Sequence, residues 1–172
     1  VIGDTAAQGR TQFGYSIYLN QCDGTSSKRQ LVANNMISNP DTVSTGTKYL
    51  LYLNNNGFQD VVHNSVYMKS ASTNSRTLYA VNGGGSSLQN NILVNEGAGY
   101  AIYLVSGFTF TNVDYNNYWA PNGNVGYFNA AQATMTDWQT NSGFDANGFN
   151  VDPQFYSEID LHTCADTLES AG

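Results

Sequence analysis

Leu51-Tyr52-Leu53, Asn64-Ser65-Val66-Tyr67, Leu78-Tyr79-Ala80, Asn90-Asn91-Ile92-Leu93: between residues 51 and 93 the chain carries two landmarks, and carries each of them twice. Reading outward, the same pair occurs upstream as Ile17-Tyr18-Leu19 and Asn34-Asn35-Met36-Ile37. Downstream it occurs as Ile102-Tyr103-Leu104 and Asn116-Asn117-Tyr118-Trp119. The tyrosines are separated by 34, 27 and 24 residues and the leading asparagines by 30, 26 and 26. Two landmarks that recur in a fixed order at one period mark a repeat architecture. Within each unit the apolar residues alternate as in a strand rather than following a helical stripe. A leucine-rich repeat has a similar period but lacks this pattern, and a propeller blade needs about 40 residues. Two or three short strands joined by Gly, Asn and Ser turns fit one coil of a parallel β-helix. Parallel crossovers are right-handed in nearly all cases. The fold predicted is therefore all-β: a right-handed parallel β-helix of about four to five coils.

The columns of such a stack acquire physical roles. Alternation places residues 17 and 19, 51 and 53, 78 and 80, and 102 and 104 on one face. All are aliphatic or Ala, so this is the core face, and Tyr18, Tyr52, Tyr79 and Tyr103 point outward at strand spacing. In the second landmark, residues 36, 66, 92 and 118 are expected inward, followed by 38, 68, 94 and 120, with Asn34, Asn64, Asn90 and Asn116 facing in at the bend before them. Stacked amides can satisfy one another where a lone buried amide could not. The opposite parity, with Ile37, Tyr67, Leu93 and Trp119 in the core, is the alternative, because a one-residue slip exchanges the two faces. A third strand is expected in Gln30-Leu31-Val32, Asp60-Val61-Val62, Ser87-Leu88 and Asn112-Val113. The first coil is longer by a loop, Asn39 to Thr47, that is expected to stand out from the body.

After Trp119 the pattern changes. Thr134 followed by Asp137 is a helix-start signal and Gly143 a stop, predicting a helix near residues 135–142 whose Met135 and Trp138 cover the open end of the core. The tail Asp152-Pro153-Gln154-Phe155 reads as extended, with Phe155 and Leu161 packing back. The whole is one domain, with coils over about residues 1–125 and the cap and tail over about 126–172. The chain starts at Val1 rather than Met and reads as a mature or excised segment, which leaves room for upstream coils.

Composition narrows the partners. Charged residues make up 11%, asparagine occurs 22 times, and 13 acids against 6 bases leave a net charge of −7. A nucleic-acid binder would carry a basic patch, so nucleic acid is disfavoured. No apolar run is long enough for a membrane span. Cys22 and Cys164 stand near opposite ends of the chain and read as two separate thiols, with a bridge requiring the tail to fold back.

Asp114-Tyr115-Asn116-Asn117-Tyr118-Trp119, Asp137-Trp138-Gln139, Asp145-Ala146-Asn147, Asp152-Pro153-Gln154-Phe155 and Asp160-Leu161-His162 follow one another in order. Together they resemble the C-terminal half of bacterial secreted or cell-surface β-helix proteins of the pectin-lyase-like superfamily, over roughly residues 14–172. The resemblance implies a right-handed β-helix, a secreted or cell-surface location, and a role in polysaccharide recognition or cleavage. The enzymes of that superfamily have eight or more coils, about twice the number read here.

Candidate chemistry follows from these columns. A lyase needs a basic residue, for which Lys48, Lys69 and Arg76 are available. Lys48 and Arg76 precede the tyrosines of adjacent coils and could be neighbours, but only Asp60 and Asp114 supply acids in the strand columns. A glycosidase needs two carboxylates about 5–10 Å apart. The dense acids are Asp145, Asp152, Glu158 and Asp160, which read more simply as turn-capping residues of the tail. No cofactor is expected. Calcium is the one ion for which Asp145-Ala146-Asn147-Gly148 with Asp152 offers oxygens at loosely suitable spacing, and Asx-turn bonding explains the same residues. His63 is expected beside Ala33, Gln89 and Tyr115, and His162 alone in the tail, so neither has a metal partner. The outward ladder Tyr18, Tyr52, Tyr79 and Tyr103, with Asn20 and Asn54 beside it, is the candidate carbohydrate platform. The competing role is purely structural, since cross-strand pairs contribute about 0.2–1 kcal/mol each. The expected function is a non-catalytic carbohydrate-binding, structural or adhesive module. The alternative is a minimal polysaccharide-degrading enzyme.

Overall fold

The structure is a computed structural model that describes residues 2–3, 14–43, 45–105 and 107–169. It is a parallel β-solenoid of about four turns closed by a short helix. Strands are numbered in chain order. One sheet stacks β1 (Ile2–Gly3), β4 (Met36–Asn39), β7 (Ser65–Met68), β9 (Ile92–Asn95) and β12 (Asn117–Trp119). A second stacks β2 (Gly14–Asn20), β5 (Lys48–Gly57), β8 (Arg76–Gln89), β10 (Tyr100–Leu104) and β13 (Asn124–Phe128), with β14 (Ala130–Gln132) antiparallel at its end. A third face stacks β3 (Gln30–Ala33), β6 (Gln59–Val62), the second half of β8, and β11 (Phe108–Asp114). All pairings but the last of the second sheet are parallel, as the repeat requires.

The second sheet has the predicted register: Tyr18 pairs with Tyr52, Tyr52 with Tyr79, and Tyr79 with Tyr103. Leu51, Leu53, Leu78, Ala80 and Ile102 are fully buried beneath them. The third face is also as expected, with Val61 and Leu88 buried in register.

The first sheet corrects the parity. Its register aligns Ile37, Val66, Leu93 and Tyr118, all fully buried. The expected inward set holds in the second and fourth coils and the opposite set in the first and third. Likewise Met68 and Ala120 face in together with Asn39 and Asn95, whereas Ser38 and Val94 belong to the outward column with Tyr67 and Trp119. The reason lies at the corner before the strand. Asn34, His63, Asn90 and Tyr115 hold the left-handed backbone there, with φ of 54–59°. The ladder residue is the next one: Asn35, Asn64, Asn91 and Asn116. Asparagine tolerates the left-handed region better than most residues, so in the first and third coils it fills the corner as well as the ladder. The doubled Asn hides which of the two is which. Asn34 and Asn90 are therefore corner residues and not ladder residues.

Along the ladder each side chain donates to the next: Asn35 Nδ2 to Asn64 Oδ1 (2.8 Å), Asn64 Nδ2 to Asn91 Oδ1 (2.9 Å), and Asn91 Nδ2 to Asn116 Oδ1 (2.9 Å). The last acceptor is Asp145. Its Oδ1 accepts from Asn116 Nδ2 (2.8 Å) and Asn116 N (3.3 Å), and its Oδ2 from Tyr118 OH (2.8 Å) and Trp138 Nε1 (3.0 Å). A carboxylate only accepts, so it terminates a chain of donors cleanly.

The cap forms where predicted. Helix α1 (Met135–Ser142) has Thr134 and Asp137 in a reciprocal capping box and ends at Gly143 with φ 74°. Trp138 is fully buried over the last core layer. Gly126 leaves it room, since a Cβ there would come within 2.5 Å of Trp138 Cε3. The tail then runs back over the outside of the first sheet, where Leu161 and Phe155 cover Tyr67, Val94, Ile92, Met36 and Trp119. The tip of this hairpin reaches the first coil, where Ser38 Oγ donates to the carbonyl of Glu158. The tail ends in one short turn of helix, α2 (Asp166–Glu169). The loop of the first coil is not free of the body: Asp41 is buried and ion-paired with Lys48 at 2.7 Å, although Val43 is exposed. Both cysteines are free thiols. Among the described residues no helix is long and apolar enough to cross a membrane.

Candidate functional site

The outer face of the second sheet is an aromatic surface, and it is larger than the sequence reading proposed. Tyr18, Tyr52, Tyr79 and Tyr103 stand in one column, which Tyr127 extends by pairing with Tyr103. A second column runs beside it, because Tyr15 pairs with Tyr49, and Arg76 pairs with both Tyr49 and Tyr100. Both columns face outward because the strands bend between them: Leu50 and Leu51 are consecutive and both buried, so Tyr49 and Tyr52 emerge on the same side. The signal was present as a Tyr three residues before the ladder Tyr in three coils. Strict alternation sends that position to the opposite face, so it was missed.

Ring geometry decides what this surface can offer. Tyr18 and Tyr52 have centroids 4.8 Å apart at 16°, Tyr52 and Tyr79 4.7 Å at 19°, and Tyr103 and Tyr127 4.1 Å at 4°. The rings therefore lie largely face to face along the solenoid axis, and what they turn to solvent is their edges and hydroxyls. The surface presents a row of phenols at coil spacing. Tyr15 and Tyr18 are the most exposed, at 47% and 45%. Asn54 Nδ2 donates to Tyr18 OH and to Asn20 Oδ1, both at 3.1 Å, so the two flanking amides join the same row.

The row is interrupted once. Tyr79 and Tyr103 meet edge-on at 76°, because the Arg76 guanidinium lies 4.0 Å over the Tyr103 ring and 5.0 and 5.1 Å from those of Tyr49 and Tyr79. Arg76 also donates to Tyr49 OH at 3.1 Å. Such contacts contribute roughly 0.5–2 kcal/mol. Burial, followed by the neighbouring phenols Tyr79, Tyr18, Tyr15 and Tyr49, pushes the Tyr52 hydroxyl up to about 12. Burial also raises Tyr79, against the opposing effect of Arg76. The proximity of Tyr103 raises Tyr127. These hydroxyls thus remain hydrogen-bond donors throughout the neutral range.

Lys48 and Arg76 do lie on adjacent coils, since Tyr49 pairs with Arg76 and Lys48 N donates to Ser75 Oγ at 3.1 Å, but the side chains of the basic residues considered for lyase chemistry diverge. Lys48 turns inside to Asp41 and Asn39, Lys69 binds Glu158 at 3.0 Å and lies 3.7 Å from Glu96, and Arg76 is held among the tyrosines. Of the tail acids, Asp145 is buried as the ladder terminus. Burial raises its pKa despite the bonds from Trp138, Asn116 and Tyr118. Asp152 caps Gln154 N, and Asp160 bonds His162. Glu158 meets Glu96 across one phenol: Tyr67 OH is 2.8 Å from Glu96 Oε2 and 3.2 Å from Glu158 Oε1, at the wall of a cavity of about 320 Å³ beneath the tail. His63 lies in the corner column with Asn34, Asn90 and Tyr115, one residue away from the expected Ala33 and Gln89. Among the described residues no three His, Cys, Asp or Glu side chains gather as a metal site. No protein-family model, curated protein or solved structure matches the chain.

Proposed function

We propose that the chain is a secreted or cell-surface β-helix module whose tyrosine face binds a polysaccharide or cell-surface glycan laid along the solenoid axis. The observation that carries this reading is the phenol row. Eight of the twelve tyrosines stand on one face, with hydroxyl donors repeating at each coil and the amides of Asn20 and Asn54 beside them. A hydroxyl-rich polymer parallel to the axis meets a matching group at every rung. Apolar contact comes from the ring edges, since neighbouring rings occupy the faces. The location draws on the resemblance of the C-terminal string to secreted β-helix proteins. The module works by binding or adhesion rather than by turnover, in keeping with the engagement of Lys48, Lys69 and Arg76 in structural contacts.

A glycan array followed by affinity electrophoresis tests the reading. Tyr52→Phe/Tyr79→Phe keeps the stack and removes two hydroxyls, and it should abolish binding as fully as Tyr52→Ala/Tyr79→Ala. Retained binding in the Phe pair would reject the phenol row. A hydrolytic reading is favoured by one observation, the Glu96–Glu158 pair. Both carboxylates touch a single phenol, which places their nearest oxygens no more than about 6 Å apart, too close for the spacing of an inverting glycosidase and leaving room only for the about 5–5.5 Å of a retaining one. Release of reducing ends from an array-positive glycan, lost in Glu158→Gln, would establish it in place of the binding module.

A further inference from the structure

The loop of the first coil folds three buried polar side chains against one another. Asn39, Asp41 and Lys48 are 5%, 8% and 4% exposed. Lys48 Nζ lies 2.7 Å from Asp41 Oδ2 and 3.3 Å from both Asn39 Oδ1 and Asp41 O. Asn39 Oδ1 also accepts from Asp41 N at 3.3 Å. The third coil repeats this turn without the amine. Asn95 shares the inward column with Asn39, and its Oδ1 accepts from Gly97 N at 3.0 Å, but its Nδ2 is spent on Tyr100 O. In the column of Lys48 the neighbouring rungs carry Gly14 before it and Ser75 after it. A buried ion pair is a weak stabiliser, so the pair with Asp41 alone does not account for a lysine among these small residues.

We propose that this cluster closes the loop covalently, through an isopeptide bond between Lys48 Nζ and Asn39 Cγ. Lys48 is the nucleophile, Asn39 the electrophile and Asp41 the proton carrier. The ammonium proton passes to Asp41 Oδ2 along the 2.7 Å bond, which removes two charges from a site sealed from water. The freed lone pair attacks Cγ, one carbonyl bond or about 1.2 Å beyond Oδ1, once the carboxamide turns slightly. Fixing amine and carboxamide in one loop supplies the proximity that the same reaction lacks in solution. Negative charge gathers on Oδ1, where the Asp41 N–H is directed. Asp41 then gives its proton to Nδ2 and takes one from Nζ. The Cγ–Nδ2 bond breaks, the carbonyl re-forms and ammonia leaves, with the former ammonium proton left on Asp41. Asn39 rather than Asp41 is the acceptor because a carboxylate repels the lone pair that a neutral carboxamide admits.

Mass spectrometry of the full chain, folded first and then denatured for measurement, tests the bond. The intact mass should fall about 17 Da below the sequence mass, the loss of one ammonia. Trypsin should fail to cut after Lys48 and give one looped fragment spanning residues 30–69, with fragmentation placing the link between Asn39 and Lys48. Lys48→Met, Asn39→Ala and Asp41→Ala should each show the full mass. A wild-type chain of full mass that trypsin cuts after Lys48 would overturn the proposal whatever the variants do. Ammonia loss that persists in Lys48→Met would also overturn it, by assigning the loss to a succinimide at an Asn-Gly pair such as Asn56-Gly57. A loss of about 18 Da, one water, would place the bond on Asp41 and overturn the choice of Asn39. Complete conversion in Asp41→Ala would overturn the proton path.

Discussion

Replacing one member of the doubled asparagine at the third-coil corner separates the ladder from the corner. In Asn91→Ala the side chain that accepts from Asn64 N (3.1 Å) and Asn64 Nδ2 (2.9 Å), and donates to Val61 O (2.9 Å) and Gln89 O (2.9 Å), disappears. Asn64 Nδ2 still reaches Val32 O and Val62 O, and Gln89 O still accepts from His63 N. The Asn64 N–H loses its acceptor and Val61 O loses its amide donor, both inside the stack. An orphaned buried group costs about 1–3 kcal/mol, so the loss should be about 2–6 kcal/mol before any cavity is counted. For a domain of this size that lowers Tm by about 5–20 °C. Asn90→Ala removes a side chain whose Oδ1 has no partner, leaving the left-handed backbone at φ 55° as the main expense, about 1–2 kcal/mol. Paired urea and thermal melts of the two variants provide the assay. If Asn90→Ala is as destabilising as Asn91→Ala, the amides do not form the ladder as described and the corner assignment fails.

Other outcomes follow from the same geometry. Asp145→Asn places a carboxamide NH2, a donor, opposite Tyr118 OH and Trp138 Nε1; the phenol can turn to accept but the indole cannot, so one orphaned donor should cost about 1–3 kcal/mol in a denaturant melt. Arg76→Met should lower stability by about 0.5–2 kcal/mol and allow Tyr79 and Tyr103 to stack, read as a change in near-ultraviolet circular dichroism. The Tyr52 hydroxyl titrates at about 12 in the folded chain against 10 unfolded. Its contribution is complete below pH 10 and is lost as pH rises towards 12, so a phenolate absorbance titration should show late ionisation accompanied by alkaline unfolding. Asp60 and Asp114 are held below their ordinary 3.8, the bonds from Ser87 and Arg29 and from Asn147 and Tyr115 outweighing burial. Their contribution is present above that value and is lost as pH falls through the folded pKa, so acid melts should steepen below about pH 4, less so in Asp60→Asn/Asp114→Asn.

Much of this molecule was legible in one dimension. The period of Tyr18, Tyr52, Tyr79 and Tyr103, the aliphatic residues flanking them and the Thr134–Asp137 cap signal are local patterns, and local patterns carry coil, core face and cap. What the tertiary structure alone decided are matters of register. Asn34-Asn35 and Asn90-Asn91 each contain a corner residue and a ladder residue of identical chemistry, and coil length varies, so only the neighbouring coils say which is which. The second tyrosine column emerges from a bend between Leu50 and Leu51 that alternation does not contain. Asp145, remote from every repeat unit in sequence, ends the ladder because the cap folds it there. The tyrosine faces are turned towards one another rather than to solvent because adjacent coils rise by one strand spacing. Strand periodicity is a property of the chain, but a one-residue slip that exchanges inside for outside is resolved only by the stack.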